Sequence, residues 1–572
     1  MKRASIRASL LIIVVALVAG VVAYAGLLPS YWVFLATSVL ITGVALQSLG
    51  LVAGRTGMIA LCQMSFAGVG AWTVGYLNIA EAPGGLAAWV LAGGLAAVPF
   101  GVAIGLPALR LRGINLAIVT LSFATAFDTI LATITYPGQT DFLQVPRPEL
   151  FDTDEGYFVF VLLFYAGIAI ALEFLSRSRL GAAWLAVRHS ERAAAAHGVR
   201  IATAKLSAFA ISAFVAGISG GLLAGYLGTL VSDNFGMMQS LSLYAVAVMT
   251  GAHFAEGAII GGLLVVMFPE ILRRLDWPQD IGNVLFAVGA TQALSTGETM
   301  SETFRRQLRK LLPAHAPKAA KAVARELPPA VRHAAGPALA IEGLTVRYGS
   351  VVALNDVSLT VAAGTVAGLI GPNGAGKSTF IDAVAGFLPA YEGRIRLAGK
   401  ALEGMAAHRR AREGARRTWQ TNRIAPELTV GGYLALAAKG LSASETRALL
   451  DWLDCPHPDT PVVSVDAGTR RLLDVAGVVA ARPAVVLLDE PAAGQSHEET
   501  LRLGQRIAEI PKLFGSAVLL VEHDMDLVRA VCSEVTVLDF GQVIASGPPA
   551  RVLEQGAVKK AYLGIEEESA AA

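Results

Sequence analysis

Two contrasting patterns of hydrophobic and polar positions divide the chain. Residues 8–297 contain long apolar runs with few charges, whereas residues 340–565 alternate apolar and charged segments. A helix rises ~1.5 Å per residue, so a run of about 20 apolar residues is long enough to cross ~30 Å of hydrocarbon. The first region therefore predicts an N-terminal polytopic all-α transmembrane domain, and the second predicts a soluble α/β domain.

Nine apolar runs in the first region are candidate membrane spans. The first, from Leu10 to Leu28, is long enough to span the bilayer, and we interpret it as an uncleaved helix rather than a signal peptide. The nine runs cover residues 8–28, 32–51, 58–79, 86–108, 114–135, 157–175, 203–229, 241–270 and 281–297.

Composition and charge set the domain boundaries and exclude some functions. With 54% hydrophobic and 16% charged residues, the chain differs from an ordinary soluble protein, and its net charge of +2 gives no reason to expect nucleic-acid binding. Residues 298–338 are basic and rich in alanine and proline, which predicts a cytoplasmic linker close to anionic membrane lipid. The predicted domains are 1–297 (membrane), 298–338 (linker), 339–566 (α/β) and 567–572 (tail).

A glycine-rich loop in the second region has the pattern of a phosphate-binding loop. The sequence GPNGAGKS follows an apolar strand, Val366–Ile370, and precedes a helix-like run, Thr379–Phe387. Glycines let backbone N–H groups converge on phosphates at the positive end of a helix, Lys377 adds a point charge, and the Ser378 hydroxyl suits Mg²⁺. The predicted ATP-binding residues of this loop are Gly371, Asn373, Gly374, Ala375, Gly376, Lys377, Ser378 and Thr379.

Two further strands end in groups suited to nucleotide hydrolysis. The apolar strand 485–488 is followed by Asp489 and Glu490, and a buried strand-end carboxylate is costly unless it meets a cation. We predict that Asp489 orients Mg²⁺ and that Glu490 polarises the attacking water. Strand 517–521 ends near His523, which would reach the γ-phosphate.

These motifs, in this order, resemble the ATP-binding-cassette family over the whole C-terminal half. The resemblance implies an ATPase fold in which Tyr348 stacks on adenine and Gln420, within RTWQT, senses Mg²⁺ and touches the membrane domain. Thr429-Val430, the run EPAAG from Glu490 and the terminal AYLG resemble the ATPases of branched-chain amino-acid importers.

One family motif is degenerate. Where the family has a Leu-Ser-Gly-Gly-Gln signature, this chain has VDAGT, so that Asp466 replaces the serine and only Gly468 is kept. In the family, ATP lies between the phosphate loop of one subunit and the signature of the other. An ionised Asp466 cannot donate a hydrogen bond to the γ-phosphate and would repel it, which predicts one working and one impaired ATP site.

Loop charges predict the membrane orientation. Basic loops, the richest being residues 177–200, alternate with acidic ones, which places the N-terminus in the cytoplasm. Nine spans would leave the ATPase outside the cell, so we divide 241–270, which His253 and Glu256 interrupt, into spans near 241–253 and 256–272. The prediction is ten helices, with eight as the alternative.

The membrane region also carries family features. Residues 181–198, GAAWLAVRHSERAAAAHG, resemble the cytoplasmic coupling segment of branched-chain amino-acid permeases, and we call them the coupling segment. They predict a short amphipathic helix offering Arg188, Glu191 and Arg192 to a cleft on the ATPase; the alternative is a solvated interfacial helix. Gln63 and Asp128 lie within predicted spans and are pathway candidates or simply solvated groups.

Together the resemblances imply a bacterial inner-membrane importer subunit with permease and ATPase in one chain. Branched-chain amino acids or related small polar solutes are the expected cargo. The expected partners are a second permease and a second ATPase subunit, or a second copy of the chain, and a periplasmic substrate-binding protein. The alternatives are an exporter, which usually has longer cytoplasmic helices, and an ATP-gated channel or regulator, which one degenerate site would suit.

Overall fold

The chain separates into two units of structure. The computed structural model describes residues 2–139, 143–278, 280–311, 327, 330–331 and 336–563. A helical unit comprises Met1–Trp184 and Ala202–Lys318, and a sheet unit comprises Leu185–Ile201 and Ala319–Ala572. Most of the coupling segment therefore groups with the C-terminal half of the chain. The predicted tail, 567–572, and most of the predicted linker lie outside the described residues.

Thirteen α-helices lie between residues 2 and 311 in the described part of the chain. They are α1 Lys2–Tyr24, α2 Ser30–Leu49, α3 Gln63–Ile79, α4 Gly85–Gly105, α5 Ile114–Thr133, α6 Asp154–Ser176, α7 Arg179–His189, α8 Glu191–Ala196, α9 Ile201–Leu227, α10 Met237–Thr250, α11 Ala255–Arg274, α12 Asp280–Thr296 and α13 Met300–Leu311.

Ten of these helices coincide with the ten predicted spans. The division of 241–270 falls where α10 ends and α11 begins, because Gly251 takes a left-handed conformation (φ 73°) that terminates α10. Within the described residues, six helical stretches are long and apolar enough to cross a membrane. They are Ser30–Arg55, which continues α2 by a π-helical turn, and α4, α5, α6, α9 and α11.

Glycines bring α3, α4 and α9 into close contact. A Cβ on Gly70 of α3 would overlap the carbonyl of Gly217 on α9, and a Cβ on Gly220 would overlap the carbonyl of Ala67. A Cβ on Gly93 of α4 would lie 2.7 Å from the Gly70 carbonyl oxygen. The backbones therefore meet at positions where only glycine fits, as in other membrane helix pairs.

The two polar groups predicted within spans both have partners in the helical unit. Gln63 donates to Ser212 Oγ at 2.6 Å, and Ser212 donates to the Ser48 carbonyl at 2.8 Å, so α3, α9 and α2 are joined by buried hydrogen bonds. Asp128 accepts from the backbone N–H of Met237, at the start of α10, at 3.4 Å. These contacts give each side chain a bond to a neighbouring helix.

The structure differs from the sequence prediction at the start of the linker. Residues 300–311, predicted as part of a tether, form α13, which packs against α10 and α11. Ser301 is buried and donates to the Thr250 carbonyl at 2.6 Å, and Arg305 pairs with Glu256. Arg305 and Arg306, two of the basic residues in the predicted tether, lie on this helix, and Arg306 pairs with Glu298 at 2.5 Å.

The sheet unit contains ten strands and nine further helices among its described residues. They are β1 Pro337–Tyr348, β2 Val351–Ala362, β3 Val366–Ile370, α14 Lys377–Ala385, β4 Glu392–Leu397, β5 Lys400–Ala401, α15 Ala407–Glu413, β6 Ala415–Arg417, α16 Val430–Ala437, α17 Ala443–Trp452, α18 Ala467–Val479, β7 Val485–Asp489, α19 His497–Phe514, β8 Ala517–Val521, α20 Met525–Val531, β9 Glu534–Asp539, β10 Gln542–Gly547, α21 Pro549–Val552 and α22 Gly556–Leu563.

Two sheets organise this unit. A four-stranded antiparallel sheet has the order β2-β1-β4-β5, and a six-stranded sheet has the order β10-β9-β3-β8-β7-β6, parallel except for β10. Every residue of β3, β7 and β8 is buried, as their continuous apolar sequences require. Because these neighbouring strands are parallel, their carboxyl ends bring residues 371, 490 and 522 to the same edge.

Candidate functional site

The predicted phosphate loop connects β3 to α14. Gly374 (φ 85°) and Gly376 (φ 100°) take left-handed conformations that a side chain disfavours, and Gly376 is the N-cap of α14 without a side-chain hydrogen bond. The positive end of α14 is therefore available to an anion. The other predicted loop residues, Gly371, Asn373, Ala375, Ser378 and Thr379, lie in the same turn and first helical residues.

Lys377 folds over this loop. Its ammonium group donates to the carbonyls of Gly371 at 2.6 Å and Pro372 at 2.9 Å. Burial lowers the pKa of Lys377, while Glu490 and Asp489 oppose this shift. The lysine, the phosphate loop and the two carboxylates therefore belong to one electrostatic site.

The two acidic residues after β7 have different surroundings. Asp489 is largely buried, and burial raises its pKa although Arg417 opposes the shift. Glu490 has a left-handed backbone (φ 46°), which is uncommon for a side chain of this size, and its N–H donates to the Val521 carbonyl at 2.9 Å. Strain of this kind is common at functional sites, where the neighbouring structure holds it in place.

Gln420 and His523 lie at the same site as Glu490. The Gln420 amide donates to Glu490 Oε2 at 2.7 Å. His523, whose side chain is 62% exposed, lies two residues beyond the end of β8, the strand next to β7, and its Nδ1 is 3.6 Å from Glu522 Oε2. Glu522 is fully buried and accepts from the backbone N–H groups of Ala492 and His523. It thereby fixes the chain on both sides of the site.

Tyr348 and the signature residues occupy other elements. Tyr348 ends β1 with 52% of its surface exposed. Asp466 is the N-cap of α18 and accepts from the Thr469 N–H at 2.8 Å, which lowers the pKa of its carboxyl group. Gly468 lies in the first turn of the same helix. Asp466 is therefore ionised at neutral pH, as the sequence argument assumed.

Arg471 joins α18 to the hydrolytic residues. Its guanidinium donates to the Pro491 carbonyl at 3.3 Å and to the Gln420 carbonyl at 3.4 Å. The helix that begins at Asp466 is thus attached to the loops that carry Gln420 and Glu490.

The coupling segment contacts the rest of the sheet unit through α8. It contains two helices rather than the one predicted, because Ser190 caps α8 and interrupts the helical path after α7. Arg192 pairs with Asp382 at 2.5 Å, and its guanidinium carbon lies 4.8 Å from the Phe387 ring centre. Trp419, next to Gln420, packs with these groups and with Ala193 and Ala196.

A second contact of the segment is fully buried. His197 Nε2 lies 3.1 Å from the Tyr433 hydroxyl, which donates to Asp474 Oδ1 at 2.9 Å. The carboxylate accepts that proton, so the neutral histidine donates from Nε2 to Tyr433. Burial, with a smaller effect from Arg416, lowers the pKa of His197 to about 3, and burial raises the pKa of Asp474 to about 6.

Weaker contacts complete this surface. Arg412 donates to the Gly198 carbonyl at 2.8 Å, and Arg188 lies 3.7 Å from Glu427. Glu191 is in the first turn of α8, where a negative charge favours the helix. Of the three side chains predicted for this surface, Arg192 pairs with Asp382 and packs on Phe387 and Trp419, and Arg188 makes an exposed ion pair.

Comparisons with known proteins match each half of the chain separately. Residues 28–289 match a family described as the permease component of the branched-chain amino acid transport system, and residues 354–493 match the ABC transporter family. The BraF protein of Pseudomonas aeruginosa, named a high-affinity branched-chain amino acid transport ATP-binding protein, is 35% identical over 251 residues, covering 40% of this chain and 98% of BraF.

The chain belongs to the branched-chain amino acid family of ATP-binding-cassette (ABC) transporters.

Two further similarities involve ABC ATPases. LivG of Salmonella typhimurium, also named a high-affinity branched-chain amino acid transport ATP-binding protein, is 33% identical over 250 residues, covering 40% of this chain and 98% of LivG. A crystal structure of a nucleotide-free ATP-binding cassette from an ABC transporter is 27% identical and covers 41% of this chain and 100% of its own, with a TM-score of 0.36. The two family matches and the similarity to BraF show that the chain is a multi-pass membrane protein whose ABC ATPase hydrolyses ATP to drive transport.

Several residues of this site were missed by sequence reasoning. Arg417, Asp382, His197, Tyr433 and Asp474 acquire their contacts only through folding, across sequence separations of 35 to 236 residues. Arg417 stood in the RTWQT run and His197 in the coupling segment, but neither run indicated a partner.

Proposed function

We propose that this chain is an importer subunit that uses ATP to move branched-chain amino acids, or related small polar solutes, into the cytoplasm. The observation that carries the proposal is the coupling segment, which belongs to the permease match by sequence and packs against the ATPase within the sheet unit. BraF and LivG, both named as branched-chain amino acid transport proteins, support the choice of solute.

The nucleotide residues take the following roles in this proposal. The phosphate loop and Lys377 bind the ATP phosphates, Tyr348 stacks on adenine, Glu490 positions and deprotonates water, and His523 contacts the γ-phosphate. The Gln420 amide, at 2.7 Å, orients the Glu490 carboxylate. Mechanically, movement of the Gln420 loop reaches the permease through neighbouring Trp419, which packs on α8.

The oxygen-rich donor set suits Mg²⁺. Ser378, exposed at the start of α14, Asp489 at the end of β7, and the Gln420 amide oxygen supply hard ligands of the kind this ion prefers. When bound, Mg²⁺ would neutralise charge on the β- and γ-phosphates. The residues of this chain therefore fit the ion that the family uses.

The complex requires more than this chain. We propose a second permease and a second ATPase subunit, either separate proteins or a second copy, with a periplasmic substrate-binding protein delivering the solute. The N-terminus and ATPase lie in the cytoplasm of a bacterial cell, as the loop charges favour. A partner with an intact signature would complete the site formed by Lys377 and Glu490, while Asp466 would impair the opposite site.

Uptake into right-side-out vesicles tests the direction of transport. The vesicles contain the assembled complex and are loaded with ATP, and the binding protein and radiolabelled leucine are added outside. They should accumulate leucine above its external concentration. Glu490→Gln complexes are the matched control, since they retain the fold and the binding residues. Equilibration without accumulation would indicate a gated channel, and ATP-dependent loss of preloaded leucine would indicate an exporter; either result contradicts the proposal.

A further inference from the structure

Four alternating charges connect the coupling segment to the carboxylate at the end of β7. Arg192 donates to Asp382 Oδ2 at 2.5 Å, and Arg417 donates both to the other oxygen of Asp382 and to Asp489 Oδ2, the latter at 2.9 Å. Side-chain exposure is 45% for Arg192, 21% for Asp382, 4% for Arg417 and 10% for Asp489. The inner charges are therefore shielded from water, where charge interactions are strongest.

Both middle members of this charge series are shared between two partners. Asp382 accepts from two guanidinium groups, and Arg417 donates to two carboxylates through different nitrogens. Since one side chain cannot approach both of its partners more closely at once, strengthening one contact weakens the other. A change that strengthens the first contact of the series therefore weakens the second and strengthens the third.

Asp489 has two cationic partners, one proposed and one observed. The proposed function assigns it to Mg²⁺, and Arg417 already donates to one of its oxygens. A divalent cation and a guanidinium on the same carboxylate repel each other. We infer that Arg417 is a positioning residue that competes with the divalent cation for Asp489, and that the coupling segment adjusts this competition through Arg192 and Asp382.

The two members of the outer ion pair should have opposite effects. Without the Arg192 charge, Asp382 interacts with Arg417 alone and draws it away from Asp489, which favours the metal. Without the Asp382 charge, Arg417 interacts with Asp489 alone, which disfavours the metal. By linkage, metal binding must alter the hold of Asp382 on the coupling segment by the same factor. The nucleotide site and the permease segment are thus joined by charge as well as by packing.

Manganese titration of the purified full-length chain tests this inference. The probe is Mn²⁺, followed by the electron paramagnetic resonance signal of the free ion, with a saturating non-hydrolysable ATP analogue. Arg192→Ala should lower the apparent Kd for Mn²⁺ about threefold to tenfold, and Asp382→Asn should raise it by a similar factor. Arg412→Ala removes an arginine that contacts the same segment at Gly198 but neither carboxylate, and should leave the Kd unchanged.

The directions of the two shifts in the Kd for Mn²⁺ decide between this inference and a purely structural ion pair. A purely structural ion pair would give shifts in the same direction for Arg192→Ala and Asp382→Asn, or none, and either result overturns the inference. A shift with Arg412→Ala equal to that with Arg192→Ala also overturns it. Melting temperatures of the variants show whether each remains folded. The titration involves no transport, so the inference and the proposed import of amino acids can fail independently.

Discussion

Two helix N-termini of the ATPase differ in what they offer to a phosphate. At α14 the N-cap is Gly376, without a side-chain cap, and Lys377 adds a positive charge. At α18 the N-cap is Asp466, whose carboxylate accepts the Thr469 N–H. Both helices carry a positive end, but α18 neutralises its own with an ionised side chain. We therefore expect the same helix geometry to attract or repel phosphate according to the charge of one capping residue.

The largest effect is expected at the ATP site that contains the N-terminus of α14. Glu490→Gln keeps the size of the side chain but removes the base, so phosphate release by the assembled complex should fall about a thousandfold. The equivalent change in a partner ATPase, whose site is closed by Asp466, should alter the rate about twofold at most. Equal losses from the two changes would contradict the difference between the two sites.

Nucleotide binding at the same end should depend on one lysine. Lys377→Ala removes the ammonium group that folds over the loop, and affinity for a fluorescent ATP analogue should fall about a hundredfold. Lys400→Ala is the control, since it removes an exposed lysine paired with Glu413. Equilibrium titration measures both, and unchanged affinity in Lys377→Ala would show that the loop does not hold the phosphates.

The α18 end should gain activity from a change of charge. Asp466→Ser retains an N-cap and restores a hydroxyl donor, so hydrolysis by the purified chain should rise about tenfold. Asp466→Asn is a matched variant, because asparagine caps helices as well as aspartate but carries no charge. An intermediate gain is expected for Asn. Slower hydrolysis in both variants, with unchanged melting temperature, would exclude charge repulsion as the cause.

The sequence predicted local features of this chain better than distant ones. The phosphate loop was predictable because strand, glycines and Lys377 are contiguous, and the break between α10 and α11 because His253 and Glu256 interrupt an apolar run. The packing of α13 was not, since Ser301 is buried against Thr250 and Gly257, which lie outside the linker. A basic stretch has the same composition whether solvated or packed on one face.

For a similar reason, the charge and hydrogen-bond networks could not be predicted from local sequence patterns. Arg192 and Asp382 are 190 residues apart, and each alone is an ordinary surface-type residue. Asp382 connects Arg192 to Arg417, and Arg417 is buried only in the folded sheet unit. Sequence reasoning could identify the coupling segment from its resemblance to permeases. It could not identify which charged residue of the segment pairs with Asp382 and so connects to Asp489.

The smallest expected effect concerns the buried network that links α18 to the coupling segment. His197 has a pKa of about 3 in the folded chain and 6.5 ordinarily, so the unfolded chain binds the extra proton between these values, and stability falls as the pH drops below 6.5. Asp474 has a raised pKa of about 6 against 3.8 ordinarily, so it restores part of that stability as the pH falls through 6.

Replacing His197 should therefore change how stability depends on pH. His197→Gln keeps an N–H donor for Tyr433 but does not titrate, so only the Asp474 contribution remains. Between pH 7.5 and 5.5, the variant should lose about 1 kcal/mol less stability than the original chain. Denaturant unfolding of the sheet unit at the two pH values measures this difference. His189→Gln, at an exposed position of the same segment, should follow the original profile. Parallel profiles for His197→Gln and the original chain would mean that His197 is not held neutral by its buried contact, and that α18 and the coupling segment are joined without it.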